Sequence, residues 1–85
     1  MELNRLDYVI LKILKKQNCI SYFESMTLQE IIAVTGTSRP STYRKMMKLK
    51  EHGYVEKGCK STNAATFYLL NKGIELVENG GKQND

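Results

Sequence analysis

Gly36-Thr-Ser-Arg-Pro-Ser-Thr-Tyr-Arg-Lys-Met-Met-Lys-Leu-Lys-Glu-His-Gly-Tyr-Val55 is the stretch whose reading decides the fold. It opens on Gly36, the residue type that most readily takes the left-handed backbone closing a preceding helix. Ser38 suits the N-cap of a new helix, because its short side-chain oxygen can accept one of the orphan first-turn amides. Arg39 and Pro40 are then the first two helical positions, where the missing proline N–H loses no helical hydrogen bond. His52-Gly53 ends the helix, and Tyr54 to Lys57 reads as a strand. Thr42, Met46 and Leu49 recur at i, i+4 and i+7 and so share an inner face. At about 100° per residue, Pro40, Arg44 and Met47 point the other way, flanked by Tyr43 and Lys48.

Upstream, Thr27-Leu-Gln-Glu30 is a capping box, and Met26 with Ile31 can form the hydrophobic staple that accompanies one. The helix it starts draws apolar surface from Leu28, Ile31, Ile32 and Val34 and stops at Gly36. A first helix is expected from about Leu3 to Gln17, with Asn4 and Asp7 at its start and Lys12, Lys15 and Lys16 near its negative end. Its core stripe is Leu3, Leu6, Ile10, Ile13 and Leu14. Tyr8 and Leu11 lie off that stripe and are the candidate contact for a homodimer. Between the helices, Ile20, Tyr22 and Phe23 show no helical spacing, and a short strand fits just before Met26.

Downstream, Thr66 to Leu70 reads as a second strand. The linker Gly58-Cys-Lys-Ser-Thr-Asn-Ala-Ala65 is small and polar, so the two strands make a loose β-hairpin. Asn71 can cap a short last helix, Lys72 to about Glu78. One domain is expected over residues 1–78, followed by a polar tail, 79–85, of the composition that frays.

Composition narrows the function. With 41% apolar and 26% charged residues the chain has the make-up of a folded domain. No apolar run reaches the roughly 18–20 residues of a membrane span, and Met-Glu-Leu-Asn-Arg does not begin a secretory signal, so a cytoplasmic protein is expected. Cys19 and Cys59, the only two cysteines, read as free thiols. With His52 as the one histidine they make no zinc-ligand set, and no metal or other cofactor is expected. The same scarcity argues against an enzyme, since no nucleophile–base pair or phosphate-cradling glycine loop is present. The charge is more telling. Residues 37–60 hold seven basic and two acidic side chains, while the rest of the chain holds six and seven. The entire net +4 therefore comes from one contiguous segment. A basic patch on a nearly neutral body is what a phosphate backbone attracts.

Four segments in order carry a resemblance. Thr27-Leu-Gln-Glu-Ile-Ile-Ala33, Gly36-Thr-Ser-Arg-Pro-Ser-Thr-Tyr-Arg44, Leu49-Lys-Glu-His-Gly-Tyr-Val55 and Phe67-Tyr-Leu-Leu-Asn-Lys-Gly-Ile-Glu-Leu76 resemble the winged helix-turn-helix DNA-binding domains of small bacterial, plasmid or phage regulators. The resemblance implies an α+β, mainly α, fold: a three-helix winged helix-turn-helix with a C-terminal two-stranded β-hairpin wing and a short last helix. It implies double-stranded DNA as partner. The recognition helix, about residues 38–52, would enter the major groove. The wing, 57–66, would meet the adjacent groove or backbone through Lys57, Lys60, Ser61, Thr62 and Asn63.

The side chains fit that implication. Arg44 is the first choice for reading bases, since arginine pairs bidentately with guanine. Pro40, Ser41, Tyr43 and Met47 can supply hydroxyl or apolar contacts along the groove. Ser38, Arg39, Lys45 and Lys48 are placed for phosphates, which orient a protein without reading sequence, and Thr37 can add a hydroxyl at the turn. The expected function is a transcriptional regulator, in first place a repressor. A centromere-site adaptor of a plasmid or phage segregation system would present the same face. A winged-helix protein-interaction module without DNA binding is the contrasting class, and the basic segment argues against it.

Overall fold

A computed structural model describes residues 3–59 and 64–80. The first helix, α1, spans Arg5–Lys16 and is closed at its start by the expected capping box. Asn4 Oδ1 accepts the Asp7 amide at 3.0 Å, and Asp7 Oδ2 accepts the Asn4 amide at 2.9 Å. The helix begins two residues after Leu3 because Asn4 holds an extended backbone at φ −94°, ψ −177°.

Met26–Thr27 forms a two-residue strand, β1, immediately before helix α2, Leu28–Thr35. Thr27 serves both elements. Its backbone is extended, as an N-cap requires, which also suits a strand partner. Its hydroxyl accepts the Glu30 amide at 3.1 Å and the Glu30 carboxylate accepts the Thr27 amide at 2.9 Å. Helix α3 covers Arg39–Glu51, strand β2 Val55–Lys57, strand β3 Thr66–Leu69 and helix α4 Asn71–Gly80. Asn71, expected as a cap, is inside α4, and the helix runs two residues beyond the expected end at Glu78.

The sheet has three antiparallel strands in the order β1-β3-β2, where the sequence predicted a two-stranded hairpin. Val55 stands opposite Leu69 and Lys57 opposite Phe67, as the hairpin reading requires. Met26 and Thr27 then pair with Phe67 and Thr66 on the other edge of β3. The short strand expected just before Met26 falls instead on Met26 and Thr27 themselves, and a run of two residues is too short for the sequence to show its pairing with β3. Lys60, Ser61, Thr62 and Asn63 lie outside the described residues.

The core joins Ile10, Leu11 and Leu14 of α1, Leu28 and Ile31 of α2, Met46 and Leu49 of α3, and Val55, Phe67 and Leu69 of the sheet. Ile74, Leu76 and Val77 of α4 pack against it. Two apolar residues depart from the sequence reading. Leu11, expected on an outer strip as part of a homodimer contact, is 0% exposed and cannot reach a partner. Its neighbours Ile10 and Leu14 widen the buried stripe to include it, because a small core wraps more than one edge of a helix. Val34 goes the other way and is exposed. Cys19 and Cys59 are free thiols, Cys19 buried and Cys59 partly so. Burial pushes the Cys19 thiol above its ordinary pKa, and the nearby Glu30 and Glu24 carboxylates add to the shift.

Candidate nucleic-acid interface

Three residues, Gly36 to Ser38, separate α2 from α3. Gly36 makes the turn with φ +72°, ψ 11°, and its amide still reaches the Ile32 carbonyl at 2.7 Å. Thr35 steadies the corner: its hydroxyl donates to the Ile31 carbonyl at 3.0 Å and accepts the Thr37 amide at 3.3 Å. Ser38 occupies the N-cap position with the expected extended backbone, but its side chain makes no capping hydrogen bond. The start of α3 is held from within instead. Buried Thr42 donates both its amide, at 2.9 Å, and its hydroxyl, at 2.8 Å, to the Ser38 carbonyl. Periodicity placed Thr42 correctly on the inner face but assigned it only a packing role.

The far end of α3 is also tied down. The His52 amide reaches the Lys48 carbonyl, and His52 Nδ1 lies 3.0 Å from the same oxygen. Gly53 takes φ +81° to turn the chain into β2. From α4, Lys72 donates to the His52 carbonyl at 2.8 Å while its ammonium sits 4.6 Å from the centre of the Tyr54 ring. A cation there opposes the negative end of the α3 dipole. Nothing in the linear sequence marks this contact.

The faces of α3 separate as expected. Thr42, Met46 and Leu49 are buried, while Pro40, Tyr43, Arg44 and Lys48 are exposed. Met47 is half-buried and packs on the rim of the core, so it offers only part of its side chain to the outer face. Tyr43, Arg44, Met47 and Lys48 line one shallow concavity with Lys50 and Glu51. Pro40 and Tyr43 line a second with Arg39, Leu28 and Ala65, where the helix start meets the approach to β3. Ser41, Arg44, Lys45 and Lys48 line a third.

The cations of the basic segment are unequal once folded. Lys50 pairs with Glu56 at 3.5 Å across the α3–β2 corner. The Lys57 amide, donating to the Glu56 carboxylate at 2.8 Å, holds that carboxyl below its usual pKa, helped by Lys50. Arg39 leans back on α2, its Nη1 donating to Gln29 at 3.4 Å. Lys45 reaches across to α1 and meets Asp7 at 3.3 Å. Among the described residues no carboxylate lies within 4.0 Å of the cations of Arg44 or Lys48, and both stand exposed on the outer face. Lys57 is exposed at the end of β2. Tyr8 is half-buried on α1 and is the one expected homodimer residue that reaches the surface. No group of three or more metal-ligating side chains occurs among the described residues. No described helix is long and apolar enough to cross a membrane.

The DNA-binding protein TubR of Clostridium botulinum C phage is 32% identical to this chain over 78 residues, covering 92% of this chain and 96% of that protein. The chain belongs to the TubR family. The likeness extends over nearly the whole of both chains rather than an isolated motif. TubR from Bacillus megaterium pBM400 superposes with a TM-score of 0.84 at 18% identity, covering 93% of this chain and 87% of that one. MepR, a transcription regulator of the Staphylococcus aureus multidrug efflux pump MepA, shares the fold at a TM-score of 0.83 and 15% identity. That match covers 95% of this TubR-family chain and 57% of MepR. Residues 21–58, from the approach to β1 through β2, match the IclR helix-turn-helix domain.

Proposed function

We propose that this chain is a sequence-specific double-stranded DNA-binding protein, with α3 in the major groove and Lys57 at the adjacent groove or backbone. The observation that carries the reading is the pair Arg44 and Lys48. They stand exposed on the face of α3 opposite the core, while Lys45 between them is drawn to Asp7 at the α1–α3 junction. A helix held at both ends presents that face as a fixed surface, which lowers the ordering cost of binding. Arg44 is the base reader; Pro40, Ser41, Tyr43 and Met47 line the groove beside it. Thr37, Ser38, Arg39 and Lys48 take phosphates. In this reading the protein acts in the cytoplasm, without a cofactor, and has no enzymatic role.

The first biological role is transcriptional regulation, in particular repression. A centromere-site adaptor of a plasmid or phage segregation system is the second, favoured by the phage source of the 32%-identical relative. Fragments selected from random duplex DNA and mapped to their origin separate the two. A site overlapping a promoter supports repression, and an array of repeats away from promoters supports segregation.

The molecular reading is tested by titrating duplex DNA at rising salt. Affinity is expected to fall steeply, because each neutralised phosphate releases counterions. Arg44→Ala should lose discrimination between selected and random duplexes, by roughly 1–3 kcal/mol for one bidentate base contact. Lys48→Ala should weaken all duplexes alike. Salt-insensitive binding, or equal sequence-independent losses from both variants, would overturn these assignments.

A further inference from the structure

Asp7 and Lys45 stand 38 residues apart in sequence and meet across the α1–α3 interface. The Asp7 side chain is 4% exposed and that of Lys45 23%. The two carboxylate oxygens have separate roles. Oδ2 closes the α1 capping box on the Asn4 amide, and Oδ1 accepts from Lys45 Nζ. The carboxylate is thus fixed by its own helix before it meets the lysine. Lys45 itself shares a concavity with Ser41, Arg44 and Lys48, so on α3 it stands beside two like charges. The Lys15–Glu78 and Lys50–Glu56 pairs differ, since all four of their side chains are at least 37% exposed. Such pairs exchange readily with water and salt. Withdrawing Lys45 would leave a buried carboxylate without a counter-charge, which is strongly unfavourable.

We propose that Asp7 is a positioning residue of the DNA interface: its carboxylate retains Lys45 at the α1–α3 junction and keeps that cation out of phosphate contact. The inference rests on the DNA-binding reading above and revises the sequence-based role of Lys45. Lys45 lies at the centre of the basic segment yet adds nothing to the counterions released on binding. Asp7 therefore sets how many charges α3 presents to the duplex.

The test measures fluorescence anisotropy of the whole chain on a labelled, selected duplex between 50 and 200 mM salt. It compares wild type, Lys45→Met, Asp7→Asn and the double variant, with folding followed by circular dichroism. Each phosphate contact adds about 0.9 to the slope of log affinity against log salt, about 3.5-fold in affinity over that range. Lys45→Met is expected to keep the wild-type slope. Asp7→Asn is expected to steepen it by about 0.9 as the released lysine joins the interface, and the double variant to restore it. A slope shallower by about 0.9 in Lys45→Met, or an unchanged slope in folded Asp7→Asn, overturns the proposal. Each single variant strands one charge, and where either fails to fold the double variant decides. It strands none, and the amide oxygen that replaces the carboxylate can still accept the cap N–H. A wild-type slope in the double variant supports the proposal, while a shallower one overturns it. Loss of duplex binding by the wild type at low salt would instead remove the DNA reading, and this inference with it.

Discussion

Leu11→Ala separates the two places that Leu11 can occupy. In the structure its side chain is 0% exposed and packs with Ile10 and Leu14 in the core. The substitution deletes three carbon atoms. Their transfer alone is worth about 2.4 kcal/mol at about 0.8 kcal/mol per buried methylene. The cavity left behind raises this, and buried Leu→Ala changes of this kind cost about 3–5 kcal/mol in total. A domain of 85 residues has a net stability of roughly 4–13 kcal/mol. The change therefore removes a large share, and a loss of about 3 kcal/mol lowers Tm by about 12–24 °C. Urea and thermal unfolding followed by circular dichroism at several protein concentrations measure it. Val9→Ala on the same helix is the control, since Val9 is 37% exposed and a surface change of this kind stays within about 0.5 kcal/mol. A homodimer contact behaves differently: truncation weakens association, and the deficit disappears as protein concentration rises. A Leu11→Ala loss under about 1 kcal/mol, or one abolished at high concentration, would refute the buried placement.

Gly73→Ala should destabilise the domain even though alanine favours helix. The new Cβ would lie 2.6 Å from Leu69 Cδ1 and 2.7 Å from the Tyr54 carbonyl. Overpacking of this kind costs about 1–3 kcal/mol, against about 1 kcal/mol gained in helix propensity. A raised urea midpoint would show that α4 can move away from the sheet at little cost. Cys19 should resist alkylation at pH 8.5, where an ordinary cysteine is about half ionised. Because its folded pKa is raised, the stability linked to the protonated thiol is complete below the unfolded value and is lost as pH climbs through the folded one. Mass spectrometry after brief iodoacetamide treatment should find Cys59 modified first; equal rates would contradict the burial of Cys19.

Much of the fold was legible because its signals act within one helical turn. The Asn4–Asp7 and Thr27–Glu30 boxes join residues three apart, and both form as read. Gly36 and Gly53 turn the chain where the sequence placed them, because positive φ disfavours side chains with a Cβ. The inner and outer faces of α3 follow from helical periodicity, so the exposed Arg44 and Lys48 could be named in advance. The dimer reading of Leu11 failed because periodicity locates a buried stripe without giving its width, which the packing of neighbouring elements sets.

The sequence by itself determined where α2, α3 and the hairpin strands lie, and which segment of the chain carries its positive charge. Tertiary structure decided how that charge is distributed. Residues 37–60 carry a net +5, yet folding commits Lys45 to Asp7, sets Lys50 beside Glu56 in an exposed pair and turns Arg39 toward Gln29. It also added β1 to the sheet and brought Lys72 to the end of α3. Local backbone preferences need only neighbouring residues. An ion pair across 38 residues exists only after the hydrophobic core has brought α1 and α3 together, and the unpaired cations that remain are a product of that packing.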